Sequence, residues 1–452
     1  MTSSASARPL WMRFVLFLLP LSLSNILQSM SGTINAIFVG QLIGVDALAA
    51  IAVFFPIMIF LISFVVGLAS GSTILIGQAW GARNVEKVKQ VHGTTLTAAF
   101  ILGLFIAVIG GLFTHDLMNL LGAPQDIVDQ ATSYGRVMLM GMPGFFVFLI
   151  YTSVLRGVGD TMTPLFALVI SVLVGLLVTP ALILGWFGLP QLGLMSAAVA
   201  FIAGFVVVLF FLYFYLNWRK SPMALDAALF ARLKIDVKLL GMILKLGVPA
   251  GVSMVVSSLS AIVIVGIVNR FGSEATAAYG AVNQVMSYVQ FPAMSISIAA
   301  SIFAAQAIGA RQVEEVENVT RTALMVNLVF TGGLVLIAYL FSQNLVMLFI
   351  TDPAVIEMTE TLLHIVLWSV VMFGFGSVFS AVMRASGDVW IPMGLSLAAI
   401  IVVEVPAALI LSQVFGLPGV WIGYCCSFVA LMALQASYYF GWWRKKEIHA
   451  LV

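Results

Sequence analysis

Charge is scarce in this chain. Only 8% of its 452 residues are Asp, Glu, Lys or Arg, and 62% are hydrophobic. A soluble domain carries roughly 25% charged residues, so this chain cannot cover a surface that faces water. The formal net charge of +2 also argues against the strongly basic face that binds nucleic acid. We therefore expect a membrane protein with no nucleic-acid partner.

Cysteine and histidine are rare, and catalytic motifs are missing. Cys425 and Cys426 are adjacent within an apolar run, and two thiols are too few for a disulfide framework or a metal site. The four histidines are dispersed along the chain. The sequence has no Gly-rich phosphate loop with its Lys, no His-Glu-x-x-His and no nucleophile elbow. We therefore expect no ATP-driven transport by this chain, no enzyme activity, no metal site and no cofactor.

Apolar runs of about 20 residues, long enough to cross a bilayer as a helix, recur along the whole sequence. They do not alternate polar and apolar residues as the strands of a membrane β-barrel do. The sequence therefore predicts an all-α polytopic membrane protein with twelve transmembrane helices. The predicted spans are residues 14–40, 50–76, 92–113, 131–155, 164–185, 192–217, 241–269, 278–304, 318–341, 358–383, 391–413 and 417–443.

The basic residues predict how these spans are oriented. From Arg8 onward, all but two of the 20 Lys and Arg residues fall on one side of the membrane, the exceptions being Arg136 and Arg270. Cytoplasmic loops are enriched in Lys and Arg. We expect an integral protein of the plasma (inner) membrane with both termini in the cytoplasm, whose first span acts as its own insertion signal without being cleaved.

The two halves of the sequence repeat each other. A shift of 228 residues (272 − 44) brings four blocks into register without a gap. The paired blocks are 44–50 with 272–278, 78–83 with 306–311, 156–164 with 384–392, and 187–190 with 415–418. Each half holds an even number of spans, so both halves enter the membrane from the same side. We predict two parallel six-helix repeats around a central cavity that holds the substrate.

The repeat also predicts the domains. We expect an N-terminal lobe at 1–220, a cytoplasmic linker at 221–240 and a C-terminal lobe at 241–452. Within the linker, leucines and a valine recur at helical spacing from Leu225 to Leu240, which is typical of a helix on the membrane interface.

Two of the repeated blocks predict the ends of helices. In Gly-Ala-Arg, we expect Gly81 and Gly309 to serve as C-caps. Arg-x-x-Gly-Asp-x-x-x-Pro predicts a tight reversal in which the Asp caps the next helix and the Pro lies in its first turn. The charged residues of this motif are either purely structural or gate a conformational change. They are Arg156, Asp160, Arg384 and Asp388.

These motifs resemble those of the multidrug and toxic compound extrusion (MATE) family. They comprise Leu-Gly-Val-Pro at 246–249, Gly-x-x-Ala-x-Ala-Ala after spans one and seven, Gln-Ala-x-Gly-Ala-Arg after spans two and eight, and Leu-Arg-Gly-x-Gly-Asp after span four. The resemblance covers nearly the whole chain. It implies secondary-active export of diverse, often cationic, amphipathic compounds, driven by inward Na⁺ or H⁺. The family's acidic ion-binding positions are not acidic here, since they fall on Asn35, Thr179, Ser257 and near Phe373.

One acid lies deep within a span. Glu404 is 12 residues from both Pro392 and Gly416, which places it near the middle of the membrane. An ionised carboxylate there costs at least about 2.5 kcal/mol, and no Lys or Arg lies deep enough to pair with it. We expect it to stay protonated until a cation or water reaches it, as H⁺ coupling or cation binding requires. The alternative is a permanently neutral acid that bonds a neighbouring helix.

Other polar residues inside spans are further candidates for ion coupling or substrate binding. Those of the first span share one helix face, and the others lie in spans seven and eight. Interhelical hydrogen bonding alone is the alternative explanation. The candidates are Asn25, Gln28, Asn35, Ser257, Asn283, Gln284 and Tyr288.

The resemblance, together with the acid in the middle of a span, implies a secondary-active multidrug efflux antiporter. We expect it to export organic, cationic amphipathic compounds in exchange for H⁺ or Na⁺, to contact membrane lipids and to function as a monomer. A lipid or lipid-linked saccharide flippase is the alternative, although no buried basic residues are present to hold its anionic substrate. A receptor or scaffold without transport activity is a third possibility.

Overall fold

Long apolar helices make up most of residues 9–452, the part of the chain that the computed structural model describes. The predicted N-terminal segment with Arg8 lies outside the described residues. The described part contains no β-strand. Its α-helices in chain order are α1 (Leu10–Leu42), α2 (Val45–Gly81), α3 (Val85–Leu120), α4 (Val128–Met140), α5 (Met142–Gly157), α6 (Met162–Leu184), α7 (Met195–Trp218), α8 (Ala227–Phe230), α9 (Val237–Val268), α10 (Ser273–Gly309), α11 (Glu314–Leu340), α12 (Ser342–Met347), α13 (Pro353–Val366), α14 (Ser369–Ala385), α15 (Trp390–Ala398), α16 (Val405–Phe415) and α17 (Leu417–Gly441).

The predicted twelve transmembrane helices are confirmed. Within residues 9–452, ten helices are long and apolar enough to cross a membrane, if α15 and α16 are counted as one helix (Trp390–Phe415). Two bent pairs of shorter helices bring the number to twelve. The pairs are α4 with α5, bent by 50°, and α13 with α14, bent by 41°. Both bends occur at the same place in the repeat, because Gly141 between α4 and α5 corresponds to Ser369 at the start of α14 (141 + 228).

The described chain divides into two compact units. Unit 1 contains the residues up to Ser22, Gly77–Arg83 and Val252–Val452, and unit 2 contains Leu23–Ile76 and Asn84–Gly251. Helices α1, α2 and α9 each contribute to both units. The predicted boundaries of the two lobes and the linker stay a prediction.

In unit 2, α3 packs against α4 and α5, and α6 packs against α7. The linker does not form the continuous interfacial helix that its leucine spacing predicted. Only the four-residue α8 is helical before α9 begins at Val237. The linker is tied instead to α3 and α5: Asp226 pairs with Lys89 at 2.9 Å, Arg232 pairs with Glu86, and Tyr151 donates a hydrogen bond to a linker carbonyl.

In unit 1, α14 packs against α10, α11 and α17, and α16 packs against α17. The ends of α2 and α10 meet here, each at its Gln-Ala-x-Gly-Ala-Arg motif. The predicted glycine C-caps are wrong, because the left-handed residues are Arg83 (φ 55°) and Arg311 (φ 59°). Gly81 instead allows close packing, since a Cβ there would lie 1.9 Å from the carbonyl oxygen of Gln306.

Candidate functional site

Glu404 lies at the end of a widened helical turn. Residues Ala399–Glu404 form a π-helical turn, here called the π-turn, between α15 and α16. The N–H of Val405 bonds to the carbonyl of Ile400, five residues back. Pro406 follows and has no N–H to donate, so the ordinary helical register cannot continue unbroken at this point. π-helical turns inside α-helices occur frequently at functional sites.

The Glu404 carboxylate is buried, with 7% of the residue exposed. The Ser260 hydroxyl on α9 donates to Oε1 at 2.7 Å, and the Ser427 hydroxyl on α17 donates to Oε2 at 3.0 Å. Neither partner carries a charge, and no ion pair within residues 9–452 involves Glu404. Two hydroxyl donors stabilise the ionised form, and a hydroxyl can also accept from the protonated form. This environment therefore accommodates both protonation states.

An aromatic row runs beside this carboxylate in unit 1. The rings of Tyr279 and Tyr424 each lie 5.4 Å from the Trp421 ring, and the Phe428 ring lies 6.2 Å from that of Tyr424. The hydroxyls of Tyr279 and Tyr424 are 3.3 Å apart. Tyr424 also interacts electrostatically with Glu404. Trp421, Tyr279 and Phe428 are buried in the core of unit 1, Trp421 completely, and only Tyr424 is half-buried. Tyr424 is therefore the ring of this row that an organic cation near the carboxylate could contact.

The other polar candidates do not hydrogen-bond to Glu404. Asn283, Gln284 and Tyr288 are half-buried on α10 in unit 1. Ser257 is exposed on α9, and the hydroxyl that reaches the acid belongs to Ser260, about one turn later. The first-span candidates belong to unit 2, where Asn25 and Asn35 are half-buried and Gln28 is exposed. These three are Asn25, Gln28 and Asn35.

The two chain reversals that contain the gating candidates adopt the same backbone conformation but make different contacts. Gly159 (φ 92°) and Gly387 (φ 95°) hold the same left-handed conformation, which favours glycine. Asp160 caps α6 as predicted, accepting from the backbone N–H of Thr163 at 3.0 Å.

The equivalent prediction for Asp388 is wrong. Its carboxylate accepts from the Tyr438 hydroxyl at 2.8 Å and from the Lys446 ammonium at 2.7 Å, so it binds the end of α17 rather than the start of α15. Arg156 donates to the Thr152 carbonyl, and within residues 9–452 no ion pair joins Arg156 to Asp160 or Arg384 to Asp388. A gating role for these four residues stays a prediction.

Ser260 and Ser427 are not distinguished by any motif in the sequence. Ser260 is one of three serines within four residues of the same span, after Ser257 and Ser258, and Ser427 follows Cys425 and Cys426 in an otherwise apolar run. The only signal was polarity within a span, and many serines that bond their own helix share that signal. Ser258, for example, donates to the Met254 carbonyl four residues back.

Comparison with known proteins places this architecture in a family. The family model MatE matches the chain twice, at residues 20–181 and 249–410. The chain belongs to the MATE family of transporters. The two matches start 229 residues apart (249 − 20), and this spacing differs by one residue from the shift of 228 that aligns the repeated blocks.

Relatives of this MATE chain span its full length. It is 44% identical to the probable multidrug resistance protein YoeA of Bacillus subtilis, over 100% of this chain and 98% of that protein. It is 26% identical to the probable multidrug resistance protein NorM of Thermotoga maritima, over 95% and 92%. A crystal structure of a mutant of the Vibrio cholerae MATE transporter VcmN matches with a TM-score of 0.89 at 23% identity, covering 99% of both chains. The protein is therefore an integral membrane transporter of the multidrug efflux type and not an enzyme.

Proposed function

We propose that this transporter exports organic, cationic amphipathic compounds in exchange for H⁺, and that Glu404 is the coupling group. The observation that carries the proposal is the buried Glu404 carboxylate, held by two neutral hydroxyl donors beside a row of aromatic rings. The multidrug names of the relatives support the substrate class.

The composition of the site favours H⁺ over Na⁺ as the coupling ion. Glu404 is the only acid on α15, the π-turn or α16, and α9 and α17 contribute none. A Na⁺ site usually needs several oxygen ligands, whereas a proton needs one carboxylate. Burial disfavours the charged form and the two serines favour it, so the arrival of a cation or water promotes proton release.

The exchange follows from these opposing effects. When empty, the site holds neutral glutamic acid. A cationic substrate that reaches the carboxylate stabilises its ionised form electrostatically, so the proton leaves as the substrate binds. Protonation from the other side of the membrane cancels that attraction and releases the substrate.

The experiment measures uptake of a fluorescent organic cation into inverted membrane vesicles, which corresponds to export from the cell. Glu404→Gln keeps the shape of the side chain and cannot ionise, so we expect export to stop while the amount of folded protein is unchanged. The matched control is Glu357→Gln on α13, whose side chain is exposed, and its export should equal that of the wild type. Normal export by Glu404→Gln overturns the proposal.

Two further arms separate the alternatives. Collapse of the proton gradient should stop export, whereas removal of Na⁺ should leave it unchanged. If export instead depends on Na⁺, then Na⁺ and not H⁺ is the coupling ion. Movement of a fluorescent lipid without any cation export supports the flippase.

The proposal extends to location and assembly. We propose that the protein lies in the plasma (inner) membrane with both termini in the cytoplasm, and that it acts as a monomer in contact with lipids. Labelling of single cysteines introduced near each terminus, in intact cells and in inverted vesicles, tests the orientation.

A further inference from the structure

Ser427 faces two acceptors at opposite ends of the π-turn. Its Oγ lies 3.2 Å from the carbonyl oxygen of Ala399, the first residue of the turn, and 3.0 Å from Oε2 of Glu404, the last. A serine hydroxyl has one hydrogen and can donate it to only one acceptor at a time. The protonation state of Glu404 decides which acceptor receives it.

The two states differ in a definite way. When Glu404 is ionised, it has no hydrogen of its own, and the charge-assisted bond from Ser427 to the carboxylate is the stronger choice. The Ala399 carbonyl then loses this donor. When Glu404 is protonated, its O–H can donate to Ser427 Oγ, and the Ser427 hydrogen is free to bond the Ala399 carbonyl.

Ser260 provides an internal comparison. Its hydroxyl donates to Oε1 of Glu404 at 2.7 Å and has no other hydrogen-bond partner among the described residues. Both serines stabilise the carboxylate, but only Ser427 also contacts the backbone of the π-turn. The effects of the two residues can therefore be separated by substitution.

We propose that Ser427 is a positioning residue that transmits the protonation state of Glu404 to the π-turn, stabilising the turn when the acid is neutral and releasing it when the acid is ionised. This inference rests on the proposed role of Glu404 as the proton-coupling group. π-helical turns are rare and occur mostly as single turns inside α-helices, and one side-chain bond to the first carbonyl of this turn can therefore bias the arrangement of α15 relative to α16.

Few other groups near Glu404 can titrate. On α17, Tyr424 interacts with Glu404 and is bonded in turn to Tyr279 of α10. The same helix carries Cys425, whose thiol donates to the Ile365 carbonyl, and Cys426, but no charged residue between Leu417 and Gly441. The charged residues of α9 are Lys238 and Lys245, which precede Ser260 by 22 and 15 residues (260 − 238 and 260 − 245). No other titratable residue lies on α15, the π-turn or α16.

The test measures the distance between the two helices that flank the π-turn. Spin labels at Ile391 on α15 and Val414 on α16, both exposed, lie on either side of it, and the distance between them reports any change in the turn. The parent carries Cys425→Ala and Cys426→Ala and must retain export. In the parent, reconstituted in lipid nanodiscs, we expect the distance distribution to change with pH, and in Glu404→Gln we expect it not to.

The serine variants then separate positioning from simple stabilisation. Ser260→Ala should keep the pH-dependent change, because the Ser260 hydroxyl bonds only Glu404 and does not contact the backbone of the π-turn. Ser427→Ala should lose the change, and Ser427→Thr, which keeps the hydroxyl, should restore it. Ser412→Ala on α16 is the control for folding and should behave as the parent, since the Ser412 hydroxyl bonds only the Leu409 carbonyl of its own helix.

The outcomes distinguish this inference from the function on which it rests. A parent-like pH response in Ser427→Ala, no response in the parent, or a response that persists in Glu404→Gln overturns the role of Ser427. Loss of export in Glu404→Gln together with any of these results leaves the proposed coupling role of Glu404 standing.

Discussion

Gly309 at the end of α10 lies against the backbone of Gln78 on α2, so closely that a Cβ on Gly309 would come within 1.8 Å of the Gln78 carbonyl oxygen. Gly81 meets Gln306 in the same way at the equivalent position of the repeat. The two copies of one sequence motif thus pack against each other inside unit 1.

This contact predicts that adding one methyl group at Gly309 strongly destabilises the protein. Gly309→Ala should lower the free energy of unfolding by about 3 kcal/mol or more, because the clash is with backbone that a rotamer change cannot relieve. Gly332→Ala on α11 is the control, since nothing lies within 4 Å of its Cβ position. Thermal midpoints of the purified variants, measured by size-exclusion chromatography after heating, check the difference. Equal midpoints would show that the two helices can separate freely at this point.

Gln78 also predicts a stability effect. Its fully buried side chain donates to the Ala385 carbonyl at 2.8 Å and accepts from the backbone N–H of Leu451 at 2.6 Å. Gln78→Ala removes both bonds and leaves a cavity, so we expect a loss of about 3 kcal/mol. The exposed Gln312 supplies the control, and Gln312→Ala should unfold at the wild-type temperature. The prediction fails if the two variants melt together.

His92 and Tyr151 predict opposite effects from similar substitutions. Their rings pack edge to face at 4.8 Å in unit 2, and His92 is fully buried with neither ring nitrogen bonded within the described residues. His92→Phe removes unpaired polar atoms and should raise the free energy of unfolding by about 1 kcal/mol. Tyr151→Phe removes a hydroxyl that bonds the Met223 carbonyl and should lower it by a similar amount. Thermal midpoints of the two variants check the signs, and a loss of stability in both contradicts the prediction for His92.

The Lys89–Asp226 pair predicts a pH dependence at the linker. The hydrogen bond from Lys89 holds the pKa of Asp226 below its usual value. A carboxylate with a lowered folded-state pKa adds stability above its unfolded pKa of about 4, and that contribution disappears as the pH falls through the folded value. Since the pair is partly exposed, we expect less than about 1 kcal/mol at pH 7, decreasing with salt. A double-mutant cycle of Lys89→Met and Asp226→Asn, measured from neutral to acidic pH, tests this; a coupling energy that grows on acidification contradicts it.

The helices and the repeat could be predicted from the sequence because both depend only on the order and spacing of residues along the chain. Apolar runs of sufficient length locate helices by composition alone. The predicted number of spans is correct even where α13 and α14 form one bent span, because the hydropathy of a segment does not depend on whether it bends. Glu404 was recognisable for the same reason, because an acid surrounded by isoleucine and valine needs no tertiary information to stand out.

Local conformations followed the sequence less closely. Glycine is a common helix C-cap, but in Gly-Ala-Arg the close packing between α2 and α10 requires glycine at positions 81 and 309. Arg83 and Arg311, two residues later, adopt the left-handed conformation instead. The linker leucines had helical spacing, yet most of that segment is not helical, and its Asp226 and Arg232 form ion pairs with α3. In both cases, contacts between distant segments outweighed local preference.

The sequence by itself determined a two-fold repeated bundle of apolar helices with one acid in the middle of a span. Tertiary structure alone decided which hydroxyls meet that acid. Ser260 and Ser427 lie 144 and 23 residues from Glu404, and their approach depends on how α9 and α17 rotate against the π-turn. Apolar helices of similar composition can pack in many rotations. Which one forms is set by the summed packing of all their side chains, and no local pattern in the sequence records it.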